Sequence, residues 1–330
     1  MTHRPGLDPA VAEVRRAVRA ALAGLAEGAT VLVALSGGAD SLALAAATAF
    51  EAPKLGLRAA SLTVDHGLQA ASAAVAEAAA RAATALGLEA LVVRAEVGAD
   101  GGPEAAARDA RYRAIRDAAI RVDAAAALLG HTLDDQAETV LLGLARGSGA
   151  ASLQGMAPAS ELDGLPLLRP LLGIRRVTTH AACSAQGLQP WHDPHNNDPA
   201  YARVRVRRSV LPVLEEELGP GIAEALARTA EQLREDAAAF DDMIDETIED
   251  IVEHAEAGIS VSVPALAANP AALRNRIIRH VVAAEFGQSL TRTQTLEVAR
   301  LVTDWAGQGP IDLPGCTARR AGARLEFTAR

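Results

Sequence analysis

Through the first half of the chain, short apolar runs alternate with longer stretches of helical period. Runs at 30–35, 58–64, 89–95 and 124–129 predict strands, and the patterns between them predict helices near 41–50, 70–87, 103–122 and 134–146. Strand and helix in alternation predict an α/β fold, a parallel, doubly wound sheet with helices on both faces. Ligands in such sheets sit beyond the carboxyl ends of the strands. Three chemistry-bearing segments fall at those ends, Ser36–Ser41, Val64–Leu68 and Gly130–Asp135, and their coincidence predicts one active site.

After Gly147 the pattern is punctuated by Pro158, Pro166, Pro170, Pro190, Pro194 and Pro199, and a helical stretch follows at about 199–218. Gly219-Pro220-Gly221 marks a boundary. Beyond it a long acidic helix is expected over roughly 221–256, then helices near 264–286 and 291–306. Residues 310–328 alternate apolar and polar around Arg320–Ala323 and predict a hairpin. The expected division is a catalytic domain over 1–218, a linker helix over 219–258 and a small α+β domain over 259–330.

Composition narrows the class. A chain of 330 residues has room for two domains. Half of it is hydrophobic but only 2% is aromatic, so alanine and aliphatic side chains must build the core. Two cysteines, Cys183 and Cys316, form no pair motif, which fits a reducing compartment without structural disulfides. No apolar run is long enough to cross a membrane and the first residues lack a signal-peptide pattern, so a soluble, cytoplasmic protein is expected. A formal net charge of −9 argues against a general nucleic-acid binder. Arginines nevertheless cluster at Arg203, Arg205, Arg207 and Arg208 and at Arg274, Arg276 and Arg279, while Lys54 is the only lysine. RNA binding therefore requires that the arginines share a face.

The richest segment is Ser36-Gly37-Gly38-Ala39-Asp40-Ser41, set between a buried strand and a helix start. Such a turn aims backbone N–H groups and the positive helix end at an anion. Gly37 and Gly38 permit close approach, and Ser36 and Ser41 add hydroxyls. Asp40 would repel a bare phosphate, so the loop reads as a site for nucleotide triphosphate or pyrophosphate with Mg²⁺. Neither the Gly-Lys-Ser/Thr of ATPase loops nor the Gly-x-Gly-x-x-Gly of dinucleotide folds is present.

Other segments keep two readings each. Asp65 and His66 are either incidental turn residues or, beside the glycine loop, nucleotide contacts. Asp134, Asp135 and Glu138 are either an acidic helix start or more acid than a cap needs, with Asp135 and Glu138 on one face able to hold Mg²⁺ or accept a proton from an amine. Arg108 and Arg111, on one side of a helix, are either surface ion-pair partners or a cation near a transferred phosphate. Trp191–Asp198 contains His and Asp but lacks zinc-ligand spacing. The arginines of 201–208 are either a solvated face or an RNA-backbone contact.

In this order the segments resemble the tRNA(Ile)-lysidine synthase family of the PP-loop ATP-pyrophosphatases. The resemblance is carried by Ser36–Ser41, Val64–Leu68, Glu104…Arg108…Arg111-Tyr112, Gly130-His131-Thr132…Asp134-Asp135-Gln136-Ala137-Glu138-Thr139, Arg169-Pro170-Leu171-Leu172, Trp191…Asp193-Pro194…Asn197…Tyr201…Arg203…Arg207 and Leu313-Pro314-Gly315. Gln69 and Val204 depart from it, at positions where the family tends to have a basic residue and Asn. It implies an adenine nucleotide alpha-hydrolase-like sheet with a smaller, mostly helical, tRNA-binding C-terminal domain, in the short form of the family. It implies ATP held by Ser36, Gly37, Gly38, Ala39, Asp40, Ser41, Asp65, His66 and His131, with Mg²⁺ on Asp40 and Asp135. Catalytic roles fall to Asp40, Arg111, Asp135 and Glu138, and substrate contacts to Arg108, Asp134, Arg203, Arg205 and Arg207.

The implied reaction adenylates C2 of the wobble cytidine of tRNA(Ile) with a CAU anticodon and then joins free L-lysine there; a homodimer is compatible with the short form. The alternative, a PP-loop tRNA 2-thiolating enzyme, needs reactive cysteines or an iron–sulfur cluster, and neither cysteine lies in a nucleotide motif. A glutamine-fed amidating synthetase would need a source of ammonia. A purely regulatory nucleotide binder would not need the acidic helix start.

Overall fold

The computed structural model describes residues 6–65, 67, 72–95, 103–147, 149–255 and 258–330. They form two compact units, divided at Leu233/Arg234.

The first unit is built on a six-stranded sheet of β1 (Thr30–Ala34), β2 (Arg58–Asp65), β3 (Glu89–Arg94), β4 (Ala124–Leu128), β5 (Ala159–Leu162) and β6 (Leu165–Leu168). Their order is β3-β2-β1-β4-β6-β5, parallel except for the edge strand β5. Central strands covered on both faces should be continuously apolar. Val31, Leu32 and Val33 of β1 and Ala126, Ala127 and Leu128 of β4 are fully buried.

Alternation within β1 decides which helices cover which face. Val31 and Val33 pack with α1 (Pro9–Leu22), α2 (Ala39–Glu51), α3 (Ser72–Ala85) and α7 (Arg176–Ala185). Leu32 packs the other way, with Ala114, Ile115, Ala118 and Ala119 of α4 (Pro103–Arg121). Alanine lets α2 sit deep: every residue from Leu42 to Ala47 is buried. α1 is started by Asp8, whose side chain accepts from the N–H of Ala10 and Val11, and it buries Val11, Val14, Val18 and Leu22 at helical spacing.

The unit is completed by α5 (Leu133–Arg146), α6 (Ala150–Leu153), α8 (Ala202–Arg205), a π-helical turn (Val206–Val210) and α9 (Leu211–Leu218). Gly143 lets α5 meet α6, since a Cβ there would lie 2.3 Å from the carbonyl oxygen of Ser152. The long helix α10 (Ile222–Ile251) begins in this unit and ends in the next.

The second unit adds a five-stranded antiparallel sheet to the expected helices. After β7 (Val252–Ala255) and β8 (Gly258–Ser262) come α11 (Val263–Ala268), α12 (Ala271–Phe286) and α13 (Arg292–Thr303), then β9 (Ile311–Leu313), β10 (Cys316–Ala321) and β11 (Arg324–Ala329). The strand order is β7-β8-β11-β10-β9. Leu325 and Phe327 point inward from β11 and are fully buried, in a core with Leu266, Ile277 and Val298. The single helix expected over 264–286 is two, because Pro270 cannot continue α11 and instead starts α12.

Candidate active site

The loop after β1 is shaped by its serines and glycines. Ser41 Oγ donates to the Gly38 carbonyl (3.0 Å), accepts from the Ser36 N–H (3.2 Å) and lies 3.1 Å from Ser36 Oγ. Gly37 has φ +86°, a conformation open to glycine, and its carbonyl accepts from the Trp191 N–H at 2.9 Å. The Trp191 segment is thus docked on the loop. Gly38 is the N-cap of α2 and offers no side chain to its first turn, which leaves backbone donors for an anion. Gly130, at the end of β4, passes so close that a Cβ would lie 3.1 Å from the Ser41 backbone.

At the start of α5 the capping and functional readings meet in one residue. Thr132 is the N-cap and Asp135 the N3 residue of a capping box: Asp135 Oδ2 accepts from Thr132 N and Oγ1, both at 2.8 Å. Its other oxygen accepts from Arg176 Nη2 at 2.7 Å. Burial opposes its charge, but Arg176 and Thr132 hold the carboxyl below its usual range. Asp40 shifts the other way. Burial and the neighbouring Asp135 raise it, against Thr179 and Arg176.

Arg176, at the first position of α7, organises this cluster, and the motif reading passed over it. Its Nε faces Asp40 (3.4 Å), its Nη2 Asp135 (2.7 Å) and its Nη1 Glu138 (3.3 Å). Burial lowers its pKa, but the surrounding carboxylates more than offset that and raise it. Glu138, with no exposed side-chain surface, also accepts from Arg207 Nε (2.6 Å) and Nη2 (3.1 Å) and lies 3.5 Å from Arg203 Nε. Arg207 sits in the π turn. Asp134 is occupied by α7: it accepts from the Arg176 N–H at 2.7 Å and pairs with Arg175 at 3.2 Å. Gln136 clasps Met156 through that residue's N–H (2.7 Å) and carbonyl (2.8 Å).

A second group carries positive charge. Arg111 of α4 has no carboxylate partner among the described residues; burial lowers its pKa, and Arg108 and Arg203 lower it further against the opposing pull of Tyr112. Its side chain is nonetheless exposed to solvent. Burial together with Arg169, Arg111 and Arg203 depresses His131 to about 4 against the pull of Asp135, so the imidazole is neutral at pH 7, with Nδ1 buried and unpartnered.

Not every expected residue joins these groups. Arg205 donates to the carbonyls of Pro199 (2.7 Å) and Ala200 (2.8 Å) on an exposed surface. Arg108 stacks on Tyr112. Asp65 is buried at the end of β2 and accepts from the Gly67 N–H at 2.9 Å, and His66 lies outside the described residues. Cys183, far in sequence from the loop, reaches it in space and donates to the Ala39 carbonyl at 3.3 Å. Burial and Asp40 push its thiol up to about 11.

The geometry separates two ligands. An uncapped helix start, a left-handed glycine and an unpaired arginine fit nucleotide phosphates. The pair Asp40 and Asp135 does not, as arranged, fit Mg²⁺, because the Arg176 guanidinium lies between them, on Asp40 Oδ2 and Asp135 Oδ1, where a shared cation would sit.

Fold and loop together define a PP-loop, ATP-using domain, and the family model described as a PP-loop domain matches residues 11–214. A second model, the TilS substrate binding domain, matches 262–326. The chain is 62% identical to the tRNA(Ile)-lysidine synthase of Leifsonia xyli subsp. xyli, over 92% of this chain and 91% of that one. It is 52% identical to the enzyme of the same name from Thermobifida fusca, over 96% and 95%. The fold is shared with a solved structure of the U34-tRNA thiolase NcsA from Methanococcus maripaludis with its 4Fe–4S cluster, at TM-score 0.58 and 21% identity over 68% of this chain and 79% of that one. The chain belongs to the tRNA(Ile)-lysidine synthase family, and it is an ATP-using ligase that forms a carbon–nitrogen bond. The thiolating alternative is not favoured.

Proposed function

We propose that the chain activates the wobble cytidine of tRNA(Ile) bearing a CAU anticodon and replaces the C2 oxygen with lysine. The cytidine O2 attacks the α-phosphorus of ATP, and the bond to pyrophosphate breaks. The ε-amine of free L-lysine then attacks C2, the C2–O bond breaks, and AMP leaves with the oxygen. The observation that carries the reading is Arg111: a cation without a carboxylate partner among the described residues, in the unit whose α2 start is uncapped. Developing negative charge on a transferred phosphate is what such a group stabilises. Neutral His131 adds an unpartnered ring nitrogen for the nucleotide without adding charge.

The attacking amine must first lose a proton, since its unperturbed pKa is about 10.4. Glu138 and Asp135 are the acceptors at hand. Glu138 lines a cavity of about 160 Å³ with Arg175, Arg207, Glu215, Leu211 and Pro212. Charges of both signs around an apolar strip suit an amino acid with an aliphatic stem. Sulfur delivery finds no support here, because Cys183 is a protonated, buried donor and Cys316 is buried in the second unit. Pyrophosphate release, followed with ATP plus or minus a tRNA(Ile) CAU transcript and lysine, tests the order of events. Release that requires the tRNA is expected; equal release without it would contradict the proposal.

A further inference from the structure

Arg176 lies where the sequence places a metal. Its three guanidinium nitrogens are divided among three carboxylates, Nε to Asp40, Nη2 to Asp135 and Nη1 to Glu138, at 3.4, 2.7 and 3.3 Å. This is one planar cation serving three anions drawn from two helices, α2 and α5. The fork geometry permits it; an ammonium, a single point of charge, would not span the same set. Arg176 is itself largely buried, and α7 fixes it by its first backbone N–H, which donates to Asp134 at 2.7 Å. The remaining oxygens of Asp40 and Asp135 are taken by the Thr179 and Thr132 hydroxyls and the Thr132 N–H. A divalent ion needs oxygen ligands directed at one point, and here they are directed at a guanidinium.

We propose that Arg176 is the resident cation of the Asp40–Asp135–Glu138 cluster and excludes divalent metal from the nucleotide-free enzyme. Arg176 is thereby a positioning residue: with Arg207 beside it, at 3.5 Å from Asp135, it keeps three carboxylates together until an anionic ligand offers the guanidinium another partner. The proposal rests on the nucleotide reading only in saying what draws Arg176 away. The exclusion itself is a property of the protein alone.

The test is a Mn²⁺ titration of the full chain by electron paramagnetic resonance, without ATP, lysine or tRNA, so its result is independent of the ligase reaction. Wild type is expected to hold no Mn²⁺ at this cluster in the low millimolar range. Arg176→Gln should gain one site at least tenfold tighter, and adding Asp40→Asn should abolish it. Arg176→Lys, which keeps a cation but not the fork, is the second variant should the first fail to fold, and it should gain a weaker site. A wild-type site that disappears in Asp40→Asn would overturn the proposal. So would folded Arg176→Gln or Arg176→Lys that binds no more Mn²⁺ than wild type.

Discussion

The two charged groups of the first unit are arranged by opposite rules. Around Glu138, every carboxylate is matched: Arg176, Arg207 and Arg203 face it, and Asp135 and Asp40 share Arg176. Around Arg111 lie Tyr112, Arg108 and Arg203, and Arg111 itself has no carboxylate partner among the described residues. The first arrangement is complete in itself and holds α2, α5, α7 and the π turn together. The second leaves the Arg111 guanidinium free for an anion, as its proposed role requires. A protein spends stability on such an imbalance where it binds or works.

Removing Arg111 should give the largest effect. Arg111→Ala is expected to lower the rate of lysidine formation by about 10²–10³, the range for losing one preorganised charge in a transition state, while its unfolding midpoint in urea stays near wild type. A large loss of stability with little loss of rate would move Arg111 to the structural side of the comparison.

Glu138→Ala should act on stability as well as on rate. With the acceptor gone, Arg207 and Arg203 are left beside a buried void, and a loss of about 3 kcal/mol in urea unfolding is expected. An unchanged unfolding curve would show that the network contributes no net stability. Gly143→Ala, at the contact of α5 with the Ser152 carbonyl, should cost about 1–3 kcal/mol, measured the same way.

His131 makes the unpaired group visible through pH. Its folded pKa, about 4, lies below the ordinary 6.5, so between those values the unfolded chain binds more protons. Its contribution is complete above pH 6.5 and is lost as pH falls toward 4. The loss should reach no more than about 2 kcal/mol after allowance for solvent screening. Unfolding at pH 7, 5.5 and 4 should show a smaller decline in His131→Gln than in wild type; parallel declines would remove His131 from the account. The smallest effect is expected for Arg205→Ala, within about 0.5 kcal/mol of wild type, because its donors reach only the Pro199 and Ala200 carbonyls.

Sequence patterns were most legible where burial repeats at a regular period. The strands and helices from β1 to α5 lie within a few residues of their expected positions, since runs such as Val31–Val33 are buried on both sides. The edge hairpin β5–β6 escaped notice because its strands have four residues each and Pro166 lies within one of them. α1 was legible in principle, through Asp8-Pro9 and the spacing of Val11, Val14, Val18 and Leu22, and β8 through the alternation of Ile259 and Val261.

The candidate site divides the same way. Residues inside motifs were found, whereas Arg176 was not, because nothing local sets one arginine of Arg175-Arg176 apart from a surface pair. Only the fold brings it 136 residues back to Asp40. Cys183 teaches the converse, since distance along the chain from the nucleotide loop did not mean distance in space. No helix among the described residues is long and apolar enough to cross a membrane.

The central claim is that one site couples ATP cleavage to lysine transfer, and incorporation of radiolabelled lysine tests it most directly. The enzyme, ATP and Mg²⁺ would be given a tRNA(Ile) transcript with a CAU anticodon and, in parallel, a tRNA(Met) transcript with the same anticodon. Label in tRNA(Ile) alone is predicted, with Arg111→Ala slowing it at unchanged stability. Label in both RNAs, or ATP cleaved to AMP and pyrophosphate with no label in either, would contradict the account.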